Sequence, residues 1–388
     1  MLKNVRRRGW VNWTVGGFVG ILLSTTAACQ TQKQAQQPTE TPASPASPAS
    51  PVEEGLVADR ATLEQQNEKG QPMWKINAGK ATYLKERKFV RLENVTGNLY
   101  QDGKPILQIR AKTGEIEEDG KKIVLKEDIV AVDPRNQAVL KTEELEWRPE
   151  EDVAIARKNL TGTNANIKAS ATEGRYESRS QRLELTGSVK AIAKEPALQL
   201  RGEKAVWEMA EKKITSDLPL EIERYQEKTV SDRLTANKGQ WNLATQVATV
   251  QGNVELKSLD PKMQIASNSA VWNLKTRAVQ TNQPVQIVHH QEGYSVTGNQ
   301  GFIDLEQQVV RLQGGAQGSS LRKQAKIYAN QLVWQISQQL LQAEGNVVYD
   351  QSDPPLHLTG PKATGNLETQ QISVASETKG QVVTEITP

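Results

Sequence analysis

Two stretches of the chain, Ala205-Val206-Trp207-Glu208 and Ala270-Val271-Trp272-Asn273, are near copies of each other. They belong to a series of mostly aromatic anchors at one place in a repeating unit: Tyr83, Ile116, Trp147, Tyr176, Trp207, Trp241, Trp272, Phe302, Trp334 and Leu367. Successive anchors lie 29 to 34 residues apart. A period of this length is typical of solenoid-like arrays, in which each unit buries its apolar face against its neighbours. The pattern predicts one elongated body of about ten units of ~31 residues.

A second signature places apolar residues on both sides of a glycine. It reads Leu185-Thr186-Gly187-Ser188-Val189, Val250-Gln251-Gly252-Asn253-Val254 and Ala343-Glu344-Gly345-Asn346-Val347. Apolar and polar residues alternate around it, which is the period of two of a half-buried strand. We therefore expect an all-β fold, with about three or four strands of about six to eight residues in each repeat. Gln331 to Ala343 also fits a helical stripe, but its place in the repeat predicts two strands and a turn.

Apolar residues of the inward parity are candidates for the lining of a lipid-binding groove. The candidates are Leu183, Leu185, Val189, Val250, Val254 and Leu256. A sealed core would use the same residues, and repeated inward aromatics more often pack than bind. Both interpretations stay open at this level.

The N-terminus has the pattern of an export signal or membrane anchor. Lys3 and three arginines precede an uncharged run from Gly9 to Ala28. The run ends in Thr26-Ala27-Ala28-Cys29, which resembles the lipobox of bacterial lipoproteins, so Cys29 is the candidate lipidation site. Residues 30–54 are rich in Pro, Ser, Ala and Gln and predict a disordered tether. A lipidated Cys29, an uncleaved anchor and an unmodified cleaved signal all place the remainder outside the cytoplasm.

Composition argues against nucleic acid as a partner and against catalysis. The 388 residues carry a formal net charge of +3, with acids and bases interspersed and no basic stripe of the kind that a phosphate backbone requires. We find no nucleophile motif and no cluster of metal ligands. His289 and His290 are adjacent, so on a strand they point to opposite faces. We therefore expect no catalytic residue, no cofactor and no metal.

The repeated unit, an Ala-x-x-aromatic stretch followed by Leu-x-Gly-x-Val, resembles the OstA-like repeat of bacterial lipopolysaccharide-transport proteins. The N-terminal part resembles the LptC family in particular. Its matching elements are Gly70-Gln71-Pro72-Met73-Trp74-Lys75-Ile76-Asn77-Ala78, then Tyr100 to Gly103, Ile109 to Glu115 and Ile123 to Lys126. The resemblance to LptC covers about residues 55–200, and the general repeat continues to near residue 380.

This resemblance implies an antiparallel β-jellyroll, or "β-taco", of two sheets open along one side. It implies a periplasmic, membrane-anchored protein of outer-membrane biogenesis. Such a protein receives lipopolysaccharide from the inner-membrane ABC transporter of the Lpt system and passes it along an apolar groove toward the outer membrane. Expected partners are lipopolysaccharide, that transporter, other Lpt β-jellyroll proteins joined by edge-strand pairing, and the membrane through the N-terminus.

Four segments are expected. They are a signal or anchor at 1–29 with the lipobox-like end, the tether at 30–54, an LptC-like β-jellyroll at 55–200, and further OstA/LptA-like repeats at 201–388 that continue the same structure. Family members usually have about half this length, so the added repeats are expected to supply a built-in length of bridge. Gln30 after Cys29 favours the outer membrane under one lipoprotein-sorting rule, whereas the family resemblance favours tethering to the inner membrane.

Two other classes stay open. Exported β-helix enzymes that act on polysaccharides are also repetitive, but they typically have shorter rungs and clustered charged residues on one face. A non-catalytic, filament-forming β-solenoid would have the same composition as this chain. Uptake of lipid would distinguish a transport protein from a solenoid, and turnover of a glycan would indicate an enzyme.

Overall fold

The structure is a computed structural model that describes residues 56–84, 88–117, 119–135, 137–320, 324–369, 371–375 and 384–385. These residues form 26 strands that join in one antiparallel sheet, which confirms the predicted all-β class. The strands are β1 (Leu56–Gln66), β2 (Pro72–Leu84), β3 (Phe89–Gln101), β4 (Lys104–Glu117), β5 (Ile123–Asp133), β6 (Ala138–Arg148), β7 (Val153–Thr163), β8 (Ile167–Glu177), β9 (Arg182–Ala193), β10 (Leu198–Glu208), β11 (Lys213–Ser216), β12 (Leu220–Gln226), β13 (Thr229–Ala236), β14 (Lys238–Asn242), β15 (Val247–Leu259), β16 (Lys262–Asn273), β17 (Ala278–Thr281), β18 (Val285–His289), β19 (Tyr294–Gly298), β20 (Gln300–Asp304), β21 (Val309–Ser320), β22 (Ala325–Gln335), β23 (Leu340–Ser352), β24 (Pro355–Asn366), β25 (Gln371–Ala375) and β26 (Thr384–Glu385).

The expectation of three or four short strands in each repeat is wrong for most of the chain. A period usually holds two long strands, such as β8 with 11 residues and β9 with 12. In the middle of the chain four long strands are each replaced by two short ones, and the breaks lie at Pro219, Asn237, Pro284 and Asn299. At the two prolines the ladder lacks an N–H donor. The stretch Gln331 to Ala343 is the end of β22, a turn and the start of β23, as predicted.

The sheet is folded over, because the two ends of one strand meet. Asp260 precedes β16 and Arg277 follows it, yet Arg277 Nη2 donates a hydrogen bond to the backbone oxygen of Asp260 at 2.8 Å. A straight strand of β16's 12 residues would be about 40 Å long. The strands therefore bend about their middle, which gives two walls that face each other. This is the β-taco architecture.

The glycine-centred signature forms the corner between the walls. Gly187 and Ser188 have φ of 77° and 49°, and Gly252 and Asn253 have φ of 76° and 48°. Two consecutive left-handed residues make a bulge that shifts the strand register and turns the chain. Gly252 also has little room, since a Cβ there would lie 2.8 Å from Nδ2 of Asn237.

Two rows of side chains run along the interior, one on each wall. The tryptophan row contains residues in direct cross-strand register: Trp147, Ala154, Tyr176, Leu183, Trp207, Ile214, Trp241, Ala248, Trp272, Val279, Ile303, Val310, Trp334, Leu341 and Gly365. The aliphatic row on the other wall contains Ala131, Leu140, Gly162, Ala169, Ala191, Leu200, Ile222, Leu234, Leu256, Ile265, Ile287, Val296, Gly318, Ile327 and Tyr349.

The rows explain most of the sequence anchors and correct two of them. Ile303, not Phe302, holds the inner position of the tryptophan row, and it is completely buried. Phe302 is on the other face of β20, where the guanidinium carbon of Arg311 lies 5.6 Å from its ring centre, because a shift of one residue in a strand changes the face. At the last anchor Gly365 takes the row position rather than Leu367. The number of ten repeats stays a prediction.

Candidate functional site

A cavity lies between the two walls where neighbouring members of the aliphatic row are glycine or alanine. Three consecutive members of that row, Gly162, Ala169 and Ala191, are small residues and stand between Leu140 and Leu200. Glycine and alanine leave the space that a branched side chain would occupy. An apolar cavity of about 170 Å³ lies against these three residues.

The opposite side of this cavity is formed by the tryptophan row. Tyr176, Leu183, Trp207 and Trp241 border the cavity, and the first three are only half-buried. An apolar cavity of about 150 Å³ is large enough to hold a benzene molecule. The groove therefore has room for a small apolar group at this level.

The six candidate groove residues fall into two environments. Leu183, Leu185 and Val189 border the cavity. Val250, Val254 and Leu256 also face inward, but they are exposed by only 1%, 4% and 1% and belong to the close-packed core. The inward parity derived from the sequence is that of the structure, and only the first three border this cavity.

Four tryptophans of the tryptophan row carry a buried polar atom. Among the residues that the structure describes, none accepts a hydrogen bond from the indole N–H groups of Trp147, Trp207, Trp241 and Trp272. Trp74 differs, because its indole nitrogen donates to Gln65 Oε1 at 2.8 Å and to the backbone oxygen of Gly120 at 3.1 Å. Buried indole N–H groups usually find such a partner.

The mouth of the groove is the gap between the turns at the two ends of the strands, and a buried ion pair closes it near the middle of the molecule. Each end of the strands forms one rim of this mouth. Arg277, in the turn after β16, donates to Asp232 Oδ1 at 3.0 Å, and it also donates to the backbone oxygen of Asp260, in the turn before β16 on the other rim. The side chains of Arg277 and Asp232 are 8% and 0% exposed. Arg224 adds a second positive charge, 3.6 Å from Asp232 Oδ2. We call the set Arg224, Asp232, Asp260 and Arg277 the clasp.

The protonation of the clasp follows from its geometry. Burial lowers the pKa of Arg277 because it disfavours the charged guanidinium. The hydrogen bond and the charge of Asp232 act in the opposite direction and outweigh burial, so the pKa of Arg277 lies above its ordinary value. The guanidinium therefore stays charged.

A second cavity, of about 90 Å³, lies near the C-terminal end. It arises in the same way as the first, because Gly318 takes a place in the aliphatic row and Gly365 takes a place in the tryptophan row. Trp334, Leu341 and Tyr349 contribute its aromatic and aliphatic lining. The interior thus opens on both sides of the region that contains the clasp.

His289 is the last residue of β18, and His290 begins the turn that follows it. His289 is 7% exposed, faces Trp334 edge-on at 5.9 Å, and has a pKa lowered by burial. His290 is exposed, and its Nε2 is 2.8 Å from Gln264 Oε1. Within the part of the chain that the structure describes, no three His, Cys, Asp or Glu residues are grouped as metal ligands.

The N-terminal edge of the sheet is formed by β1, which pairs with β2 from Leu56 opposite Tyr83 to Gln66 opposite Pro72. Leu56 and Val57, at its start, are 67% and 52% exposed. None of the described residues forms a helix of the length and apolar character that crossing a bilayer requires. Cys29 and the apolar run Gly9 to Ala28 lie outside the described residues.

A protein-family model described as "Lipopolysaccharide-assembly, LptC-related" matches residues 20–194 and 220–322. This chain belongs to the LptC-related family. The second matched segment lies beyond residue 200, where the sequence indicated only the general repeat. In a comparison with curated proteins, none matched the chain. Membership of this family implies involvement in lipopolysaccharide transport.

Sequence reasoning missed the residues that create the cavities. The search for groove residues favoured Leu and Val, whereas space requires Gly and Ala on the inner parity. The available signal was the replacement of large by small residues at Gly162, Ala169 and Ala191 of the alternating pattern. The clasp was also missed, because Asp232 and Arg277 lie 45 residues apart and neither stands in a motif.

Proposed function

We propose that this protein is a periplasmic component of lipopolysaccharide transport. It receives lipopolysaccharide from an inner-membrane ABC transporter of the Lpt system and passes it along its groove toward the outer membrane. The observation that carries this proposal is the apolar cavity between Gly162, Ala169, Ala191 and the tryptophan row. Family membership supports the same cargo.

The cavity holds only part of an acyl chain, so transport requires the walls to move apart. The driving force is the removal of hydrocarbon from water, which is worth about 0.8 kcal/mol for each methylene. The mouth then leaves the sugars in solvent while the acyl chains lie between the walls. The three residues Leu183, Leu185 and Val189 contact the acyl chains first, and Val250, Val254 and Leu256 do so once the clasp opens.

Residues 201–388 act as a built-in length of bridge that continues the groove. Support comes from the two rows, which run without interruption from the first cavity to the second. A separate soluble protein would then not be needed over this distance. Deletion of residues 201–388 without loss of lipid delivery would contradict this part of the proposal.

The remaining partners follow from the ends of the molecule. The exposed start of β1 provides an edge to which another Lpt β-jellyroll protein adds a strand. An N-terminal anchor, or a lipid on Cys29, tethers the protein to the inner membrane.

Photo-crosslinking in cells tests the function directly. A photoreactive phenylalanine derivative replaces Tyr176 in the first cavity or Tyr349 in the second, because these exchanges of one aromatic ring for another disturb packing least. The exposed controls are Lys168, on the same strand as Tyr176, and Asp350, next to Tyr349. Adducts of lipopolysaccharide are then detected with an antibody.

Adducts at Tyr176 and Tyr349, and none at Lys168 and Asp350, are expected. An adduct at Tyr176 alone would confine transport to the N-terminal part and contradict the built-in bridge. The absence of adducts at both inner positions, with the protein present in normal amount, would favour the second candidate function, a structural β-solenoid. The uninterrupted stacking of strands is the observation that keeps that candidate in the test.

A further inference from the structure

The first cavity is lined mostly by apolar residues, and two of its bordering side chains, Trp207 and Trp241, have buried indole N–H groups. Both tryptophans border the cavity, and Trp241 is only 7% exposed. They are separated in register by Ile214 alone, so they lie two strand spacings apart, about 10 Å. In the described part of the chain neither N–H group has an acceptor.

A tryptophan that only fills space does not need its N–H group. Phenylalanine or leucine would pack the same row without burying a donor, as Leu183 and Ile214 do at neighbouring positions. An unpartnered buried donor lowers the stability of a protein. Its presence at two adjacent tryptophans on one cavity wall suggests an acceptor that arrives with the cargo.

The indole N–H is a donor only, so the acceptor must be an oxygen with a free lone pair. The cavity takes hydrocarbon. On an acylated lipid, the group between hydrocarbon and polar head is the carbonyl of the ester or amide linkage. Tryptophan occupies the same level in membrane proteins, with its ring in hydrocarbon and its N–H toward the interface.

We propose that Trp207 and Trp241 bind the acyl-linkage carbonyls of the lipid through their indole N–H groups, so that the groove recognises ester- or amide-linked chains and not hydrocarbon alone. The inference rests on the proposed function, since it assigns the lipid contacts of the same cavity. Trp147 and Trp272 continue this row of donors on either side, where cargo would pass next.

The test compares two soluble probes that differ only in the linkage. One is a short-chain glycerophospholipid with two ester-linked chains, used below its critical micelle concentration, and the other is its dialkyl ether analogue. The full-length chain is kept in solution with amphipol, and binding is measured by equilibrium dialysis. Trp241→Phe and the double variant Trp207→Phe/Trp241→Phe remove one donor and two donors.

A single neutral hydrogen bond corresponds to a factor of about 3 to 10 in Kd. We expect Trp241→Phe to weaken binding of the ester probe by about this factor and the double variant to weaken it further. Binding of the ether probe should not change in either variant. With a ¹³C-labelled ester carbonyl, the infrared carbonyl band of the bound probe should shift to lower wavenumber, and the shift should disappear in the double variant.

Ring shape is controlled separately. Replacement of Trp241 by 3-benzothienylalanine, in which sulfur takes the place of the N–H group, keeps the shape and should reproduce the Trp241→Phe result. Trp74→Phe is the matched control, because Trp74 borders neither cavity and its indole N–H is bonded within the protein. It should leave the binding of both probes unchanged.

The outcomes separate this inference from the function on which it rests. Equal affinity of the two probes, or an equal loss of both in the tryptophan variants, would overturn carbonyl recognition and leave lipid binding intact. Failure of both probes and of lipopolysaccharide to bind the unchanged protein would overturn the proposed function itself.

Discussion

The groove has the same two rows at residues 131–214 and at residues 232–312, but its interior differs between the two regions. In the first region, Gly162, Ala169 and Ala191 leave a cavity of about 170 Å³. In the second region, the equivalent row positions carry Leu234 and Ile287, both fully buried.

The ion pairs that cross the mouth of the groove also differ between the two regions. In the second region the rims are joined by the buried pair of Arg277 and Asp232. In the first region Arg179 reaches across the mouth to Asp102 at 3.8 Å, but their side chains are 66% and 69% exposed. Exposed pairs contribute little, whereas breaking a buried pair is costly. The same backbone arrangement thus contains a region with a cavity and a closed region, which differ in side-chain size and in the burial of one ion pair.

The largest effect is expected from opening the closed region. Arg277→Met keeps the aliphatic stem and removes the charge, which leaves Asp232 buried and without its main partner. We expect a loss of about 3–5 kcal/mol of local stability. Hydrogen exchange followed by mass spectrometry should show faster exchange across β13, β15 and β16.

Arg179→Met is the matched variant in the first region, and it should leave hydrogen exchange of the neighbouring strands nearly unchanged. Similar exchange in the two variants would mean that the clasp does not distinguish the regions.

Truncation of inner leucines should give the next largest difference. Leu256→Ala removes a side chain that is 1% exposed and should cost about 2–5 kcal/mol, because the packed core leaves a new cavity. Leu183→Ala removes a half-buried side chain that already borders open space, so its cost should lie at or below the low end of that range.

Denaturation in urea, monitored in each variant, measures the difference between Leu256→Ala and Leu183→Ala. Equal losses of stability would show that the first region is packed as tightly as the second.

These contrasts show which features of the structure the sequence predicts. The period and the alternation predicted the all-β class and the inward parity of Leu185 and Val254, whereas the corner at Gly187 and Gly252 was recognised only as a repeated glycine signature. These features are local, because a strand's periodicity and a left-handed bulge are determined by neighbouring residues.

The cavity and the clasp, in contrast, are formed by residues that are far apart in the sequence. Whether Ala169 borders a cavity depends on Leu183 and Trp207 on the opposite wall. Whether Arg277 is a surface charge or a buried one depends on the folding of the sheet that brings it to Asp232. Strand length also escaped prediction, because a bulge and a strand end give the same break in alternation.

Enlarging two alanines in the same way should give opposite signs in the two regions. Ala248→Leu, at a fully buried position between Trp241 and Trp272, should cost about 1–3 kcal/mol by overpacking. Ala169→Leu should leave stability unchanged or raise it, because the added side chain enters the cavity, and it should reduce lipid uptake.

Thermal unfolding and binding of lipopolysaccharide, measured on both variants, check this pair. A loss of stability in Ala169→Leu as large as that in Ala248→Leu would contradict the cavity.

The smallest effect concerns pH at the C-terminal end of the closed region, where His289 packs against Trp334. Burial lowers the pKa of His289 in the folded protein, although Glu292 opposes the shift. The unfolded chain therefore binds a proton at higher pH than the folded protein does, and stability rises with pH between the two pKa values. The stabilisation is complete above the unfolded pKa of about 6.5 and is lost as the pH falls through the window down to the folded pKa.

Hydrogen exchange of β18 and β22 measured at pH 7.5 and pH 5 should show this loss, and His289→Gln should remove the pH dependence. An unchanged pH dependence in His289→Gln would assign it to other groups and leave the C-terminal boundary of the closed region without a titrating residue.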